Sequence, residues 1–197
     1  VVRQIVVHDI GPSDPPLFFS TAQLASTQPF SDAVASTLNG GAGIDRATAM
    51  MGALGEAIER YSIGMYREEE MIRAPFREVE RVAIDPSRLI FFADAQYTWP
   101  RFPYVRFDPA SPLSWVAGVS LMDGGERLVP AARVYTPYRA PRAEERLLQS
   151  TSTGAACHVD RNRALVCGLY ECIERDAVMI AWLNRLPLAG IDPWSIE

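Results

Sequence analysis

The residues able to do chemistry in this sequence are four glutamates and two arginines, and they come in matched sets. Setting Asp45 to Arg60 (DRATAMMGALGEAIER) over Asp160 to Arg175 (DRNRALVCGLYECIER) makes half of the positions identical, and each copy closes on Glu-x-Ile-Glu-Arg. Residues three apart share one side of a helix. Glu56 with Glu59, and Glu171 with Glu174, therefore form two carboxylate pairs, with Arg60 and Arg175 beside them. Hard carboxylate oxygens suit Mg²⁺, which usually enters with substrate phosphates. Two such helices facing each other would make a four-carboxylate site, with more negative charge than the two arginines neutralise. The spacing is common on helices, so the weight lies in its repetition.

A solvated face is the plain alternative for Glu56 and Glu59, which lie opposite the stripe Met50, Leu54, Ala57, Ile58, Tyr61 and Met65. Gly52 and Gly55 count against it, because a glycine inside a helix costs about 1 kcal/mol relative to alanine. Close approach of a ligand or another backbone would explain them. A small-residue stretch precedes each helix: Gly40 to Gly43, and Ser150 to Gly154. Backbone N–H groups at such places suit phosphate, which makes Gly41, Gly43 and Ser152 candidate phosphate contacts.

Other chemistry is thinner. All nineteen basic residues are arginine, so the chain has no lysine nucleophile, Schiff base or P-loop lysine. Cys157, Cys167 and Cys172 are odd in number with no C-x-x-C spacing, and only His8 and His158 could join them, which argues for reduced thiols in the cytoplasm and against structural zinc. Cys157-His158 is the one adjacent pair of a thiol and an imidazole; a structural role outweighs a catalytic one, and no catalytic residue is assigned. The formal net charge of −5 without a basic patch argues against nucleic acid. No long apolar run suggests a membrane span.

The elements that must position these residues read as follows. Arg3 to Ile10 is a strand stopped by Gly11-Pro12, and Ser20 to Ser36 is a leading loop or a short helix. Asp45 caps the first repeat helix, expected from about Asp45 to Tyr66 and packed on its Met50/Leu54/Ile58 side. Glu68 to Glu70 is a solvated helix end. Met71 to Pro112 is broken by prolines and holds Phe76, Phe91, Phe92, Tyr97, Trp99, Phe102, Tyr104 and Phe107, read as buried aromatics more readily than as a stack for a base or sugar. Ser114 to Leu121 and Arg127 to Val134 form a β-hairpin, with Trp115, Ala117, Val119 and Leu121 on one face. Thr136 to Gln149 is a surface connection. The second repeat helix runs from about Asp160 to Arg185; it is apolar nearly all round and so expected to be buried, with Glu171, Glu174 and Arg175 as charges needing partners or a cation. A new element is expected at Trp194, which suggests a piece of a longer chain.

These strings also carry a resemblance. Gly40-Gly-Ala-Gly43 leading to Gly52-Ala-Leu-Gly-Glu-Ala-Ile-Glu-Arg-Tyr-Ser62, and Ser152-Thr-Gly-Ala-Ala156 leading to Gly168-Leu-Tyr-Glu-Cys-Ile-Glu-Arg-Asp-Ala177, resemble the YcaO superfamily, and most of all the cyclodehydratase of thiazole/oxazole-modified peptide biosynthesis. Ala181-Trp182 and Leu186-Pro187 through Ile191-Asp192 fit as well. The resemblance implies an α+β fold, with mixed sheets flanked by the two pseudo-symmetric repeat helices. It divides the chain into an N-terminal strand and leading loop over 1–35 and the N-terminal part of the domain over 36–197. It implies that Glu56, Glu59, Glu171 and Glu174 hold Mg²⁺ on ATP, with Arg175 and its counterpart Arg60 near the phosphates. ATP would phosphorylate an amide oxygen of a precursor peptide, and a Cys, Ser or Thr side chain of that peptide would close an azoline ring. A substrate-delivering partner protein and a homodimer are compatible with it.

The chain departs from the family's usual pattern at Ala42, Gly52, Val159 and Arg163. Those positions keep open a YcaO-like protein that binds a peptide or partner without turning over ATP. Delivery of sulfide to the amide, giving a thioamide, is a second alternative. A third is a pair of similar helices joined only by salt bridges.

Overall fold

A computed structural model describes residues 1–11, 13–29, 35–90 and 92–192. Pro12, Phe91 and the element expected at Trp194 fall outside them. The chain divides into two compact units: one of Val1–Ser26, Ala35–Ser62 and Ser152–Glu197, the other of Thr27–Val34 and Ile63–Thr151.

In the first unit, β1 (Val2–His8), β2 (Phe18–Leu24) and β3 (Leu38–Gly43) form an antiparallel sheet in that order. Two of these strands correct the sequence reading. Phe18–Leu24 lies where a loop or short helix was expected; it alternates with period two, but the buried positions are Ser20, Ala22 and Leu24, mostly small residues that give a weak hydrophobic signal. The glycine cluster is likewise a strand and not a loop.

That glycine strand decides how helix α1 (Arg46–Ile63) packs. A Cβ on Gly41 would stand 2.1 Å from Ala53 N and 2.4 Å from Ala49 O, so strand and helix meet backbone to backbone. Only small residues fit at that separation. The buried line is accordingly Ala49, Ala53 and Ala57, and Ala53 and Ala57 join Ala22 and Leu24 in a core flanked by Val2, Ile5 and Tyr61. The expected stripe is corrected in part: Ala57 is buried and Tyr61 packs on the core, but Met50 and Ile58 lie at the flank, each more than a third exposed, because their bulk cannot enter the seam. Asp45 caps the helix as expected, accepting from the Thr48 N–H at 2.7 Å and from its hydroxyl at 2.9 Å. Those hydrogen bonds hold the Asp45 carboxyl below its ordinary range.

Helix α4 (Arg161–Leu183) starts on the equivalent cap, Asp160 accepting from the Arg163 N–H at 2.9 Å. The expectation that it is buried is not met. Ala164, Gly168, Glu171 and Ala181 are covered at least in part, whereas Tyr170, Ile173 and Trp182 are each more than 60% exposed. A helix apolar all round needs neighbours on every side, and the described residues supply them on one.

The second unit is built on the antiparallel sheet β4 (Ile72–Pro75), β5 (Pro112–Val119) and β6 (Glu126–Pro130), with single helical turns α2 (Phe76–Val79) and α3 (Ala131–Val134). The hairpin is present, but its second strand gives way to α3 at Ala131. Leu113 and Trp115 are buried with Leu147, while Val119 and Leu121 are 60% exposed because the hairpin outruns this core. Trp115 donates through Nε1 to Ala74 O at 2.8 Å, which satisfies its one polar atom. The stretch expected to be a surface connection contributes buried Glu145 and Leu147. The run Glu68–Glu70 is exposed, as expected.

Candidate active site

Both glutamate pairs belong to the first unit, and the surroundings of each carboxylate differ. Glu56 is tied to its own helix: Arg60 donates to its Oε1 through Nε at 2.7 Å and through Nη2 at 2.5 Å. Glu59 receives little of that charge, since Arg60 Nε stands 3.9 Å from it, and its side chain is only 10% exposed. Burial pushes the Glu59 carboxyl up to about 7; the negative charge of Glu56 adds to this, Arg60 opposes it, and Glu171 raises it further. The field of Glu171 at Glu59 joins the two repeats, because a carboxylate of α4 acts on a carboxylate of α1.

On α4, Glu171 Oε2 accepts the Gly154 N–H at 3.1 Å, and Arg175 Nε lies 3.5 Å from Oε1. Glu174 is exposed, and among the described residues its side chain has no hydrogen-bond or ion-pair partner. Arg175 is itself 59% exposed, so its pairing with Glu171 is screened and weak.

The small-residue stretches act first as packing devices. Gly41 and Gly43 face α1, where a Cβ on Gly43 would lie 2.7 Å from Thr48 Cβ. Gly154 takes a left-handed conformation, φ 89°, and a Cβ on Gly168 would lie 2.5 Å from Gly154 O. The pair Gly154/Gly168 thus repeats for α4 the close approach that Gly41 and Ala53 make for α1. Ala53 and Gly168 occupy the same register of the repeat. The sequence reading missed Gly168 as a packing residue, although the small side chain in both copies was the signal. Ser152 is half-buried at the start of the same loop, and its carbonyl accepts the Ala155 N–H at 2.8 Å. Gly52 and Gly55 separate: a Cβ on Gly52 would come within 3.4 Å of Gly41 Cα, whereas one on Gly55 would meet nothing within 4 Å. A 3.4 Å approach is an ordinary contact that alanine would tolerate, so packing requires glycine at neither position.

Cys157, Cys167 and Cys172 are free and exposed, and His158 Nδ1 accepts the Asp160 N–H at 2.9 Å, which places that imidazole at the helix start. Among the described residues no three His, Cys, Asp or Glu side chains stand ready as a metal cage. Mg²⁺ needs none: it commonly binds one or two carboxylates and completes its shell with water and phosphate. The donor chemistry is compatible with that ion, since Glu59 offers shielded hard oxygen atoms that Arg60 Nε approaches only to 3.9 Å.

Fold and site together define an α+β protein with two repeated helices that each carry a carboxylate pair, Glu171 of one acting electrostatically on Glu59 of the other. Residues 40–197 match the family model described as YcaO cyclodehydratase, ATP- and Mg²⁺-binding, and the chain belongs to the YcaO family. An uncharacterized protein of Methanothermobacter thermautotrophicus is 30% identical over 168 residues, covering 85% of this chain and 40% of that protein. Among solved structures, a heterocyclase in complex with substrate and cofactor is similar at TM-score 0.78 and 26% identity, covering 97% of this chain and 27% of the other. The YcaO protein of Methanopyrus kandleri, bound with AMPPCP and Mg²⁺, is similar at TM-score 0.62 and 23% identity, a likeness of fold, covering 96% and 43%. This chain therefore spans well under half the length of the proteins it resembles. Among the described residues no helix is long and apolar enough to cross a membrane.

Proposed function

We propose that this chain supplies part of an Mg²⁺–ATP site in a longer, cytoplasmic protein that activates peptide backbone amides. The observation that supports the proposal is the shielded Glu59 carboxyl, raised in its titration by burial and by the charges of Glu56 on its own helix and Glu171 on the other. Glu56, Glu59, Glu171 and Glu174 would hold Mg²⁺, with Arg60 and Arg175 near the phosphates and Gly41, Gly43 and Ser152 at the flanking backbone. Bound Mg²⁺ would neutralise the charge that develops as phosphate is transferred. An amide oxygen is a poor leaving group until phosphorylated. Once it is, a Cys, Ser or Thr side chain of the peptide adds to the carbonyl carbon, and loss of phosphate leaves an azoline.

Several features of this chain serve that chemistry. Arg60 donates twice to Oε1 of Glu56, which holds that oxygen and leaves Oε2 for another partner. The Gly154 N–H holds Oε2 of Glu171. The open space at Gly55, one turn before Glu59, leaves room for a ligand to approach the helix. The proposal takes the YcaO-like domain to begin near residue 36, with a precursor peptide as substrate and a separate protein delivering it.

The test is Mg²⁺·ATP titrated calorimetrically into the full-length protein and into its Glu56→Gln/Glu171→Gln variant, where equal binding by both would sink the assignment. With ATP and a Cys-containing peptide, mass spectrometry is expected to show the loss of one water. Replacement of oxygen by sulfur would instead make it a thioamide-forming enzyme.

A further inference from the structure

The second unit holds a groove that the proposed nucleotide chemistry does not use. It is a cavity of about 490 Å³ whose walls include Pro103, Tyr104, Tyr138, Arg139, Arg142 and Arg146. Its charge runs against that of the chain: three arginines line it with a single glutamate, Glu145, in a protein of net charge −5. Glu145 is already engaged. Its buried carboxylate lies 3.3 Å from Arg73 and 3.7 Å from Arg142, and it accepts the Ser114 N–H at 3.0 Å. Arg139 and Arg146 are exposed, and among the described residues neither guanidinium has an ion-pair or hydrogen-bond partner.

Two lining residues, Tyr104 and Tyr138, are aromatic, and Tyr104 continues into further rings outside the groove. Tyr104 stacks on Phe92 at 4.8 Å and meets Phe102 at 5.6 Å, and Phe102 in turn meets Trp99 at 6.4 Å. Trp99 is 57% exposed, so a run of rings leads from the groove to the surface. Guanidinium groups recognise carboxylates by paired, charge-assisted hydrogen bonds, and exposed aromatic rings take apolar side chains at little entropic cost. The volume falls in the range of cavities that hold organic ligands, roughly 300–1,000 Å³, far above the need of one inorganic anion.

We propose that this groove binds an acidic peptide segment, with carboxylates on Arg139 and Arg146 and apolar side chains along Tyr104 toward Trp99. The inference goes beyond the nucleotide site and rests on other residues.

The experiment is fluorescence anisotropy of the full-length protein with a fluorescein-labelled peptide of alternating Glu and Leu. An alternating Gln and Leu peptide and inorganic phosphate serve as competitors. The acidic peptide is expected to bind and the Gln peptide not to displace it. Arg139→Gln is expected to weaken binding about tenfold and Arg139→Gln/Arg146→Gln about a hundredfold, since each lost charge-assisted contact is worth about one decade. Circular dichroism checks that these surface variants fold, and Glu56→Gln/Glu171→Gln is expected to bind the peptide as the parent does. Absence of binding, equal binding of both peptides, an unchanged double variant, or displacement by phosphate as effective as by acidic peptide would overturn the proposal.

Discussion

Replacing Glu59 by glutamine is expected to stabilise the metal-free protein while removing a site for the cation. In the unfolded chain this carboxyl ionises near its ordinary value of 4.5, whereas in the fold it holds its proton up to about 7. Below the lower value both states are protonated, and Glu59 costs nothing. Between the two values the unfolded state releases its proton while the folded state keeps it, so stability falls with rising pH until the folded value is passed and the buried group is ionised. At roughly 1.4 kcal/mol per tenfold in proton affinity, the full cost above pH 7 is on the order of 3 kcal/mol. The 10% exposure of the side chain leaves little room for solvent to reduce it. Glutamine cannot ionise, so urea unfolding in the presence of EDTA is expected to show Glu59→Gln gaining on the parent as pH rises from the ordinary carboxyl value to above 7. Added Mg²⁺ is then expected to stabilise the parent more than the variant. Stability profiles of parent and variant that run parallel across this range would refute the reasoning, since Glu59 would then be ionised and satisfied within the fold.

The glycines give sharper steric tests. Gly41→Ala places a carbon within 2.6 Å of three backbone atoms of α1, so thermal melts are expected to show a loss of about 3 kcal/mol or more, at the severe end of overpacking. Gly55→Ala meets nothing and is expected to gain up to about 1 kcal/mol of helix stability; weaker Mg²⁺·ATP binding by this stabler variant, read by calorimetry, would place the nucleotide beside it. Gly168→Ala would press on Gly154 O and is expected to pull the Gly154 N–H from Glu171, seen as faster hydrogen exchange of that amide. Glu145→Ala would leave Arg73 without its buried partner and is expected to cost about 3 kcal/mol in urea unfolding.

The sequence by itself determined what repeats and what is capped. Asp45 and Asp160 begin the two helices because a short acidic side chain at that point satisfies free backbone donors, which is a local matter. The proximity of Glu56 and Glu59 to Arg60 was legible for the same reason, since spacing along one helix is enough to bring them beside it. Which face of α1 packs was not local. The large residues Met50, Leu54 and Ile58 outweigh Ala49 and Ala53 in any hydrophobic pattern, yet the glycine strand brings its backbone so close that only alanines fit between. That choice turns the helix, and the turn buries Glu59 more deeply than Ile58 beside it. The repeat made two carboxylate pairs visible along the chain, but only the tertiary structure put Glu171 within the field of Glu59, because charge acts through space and the two residues lie far apart in sequence.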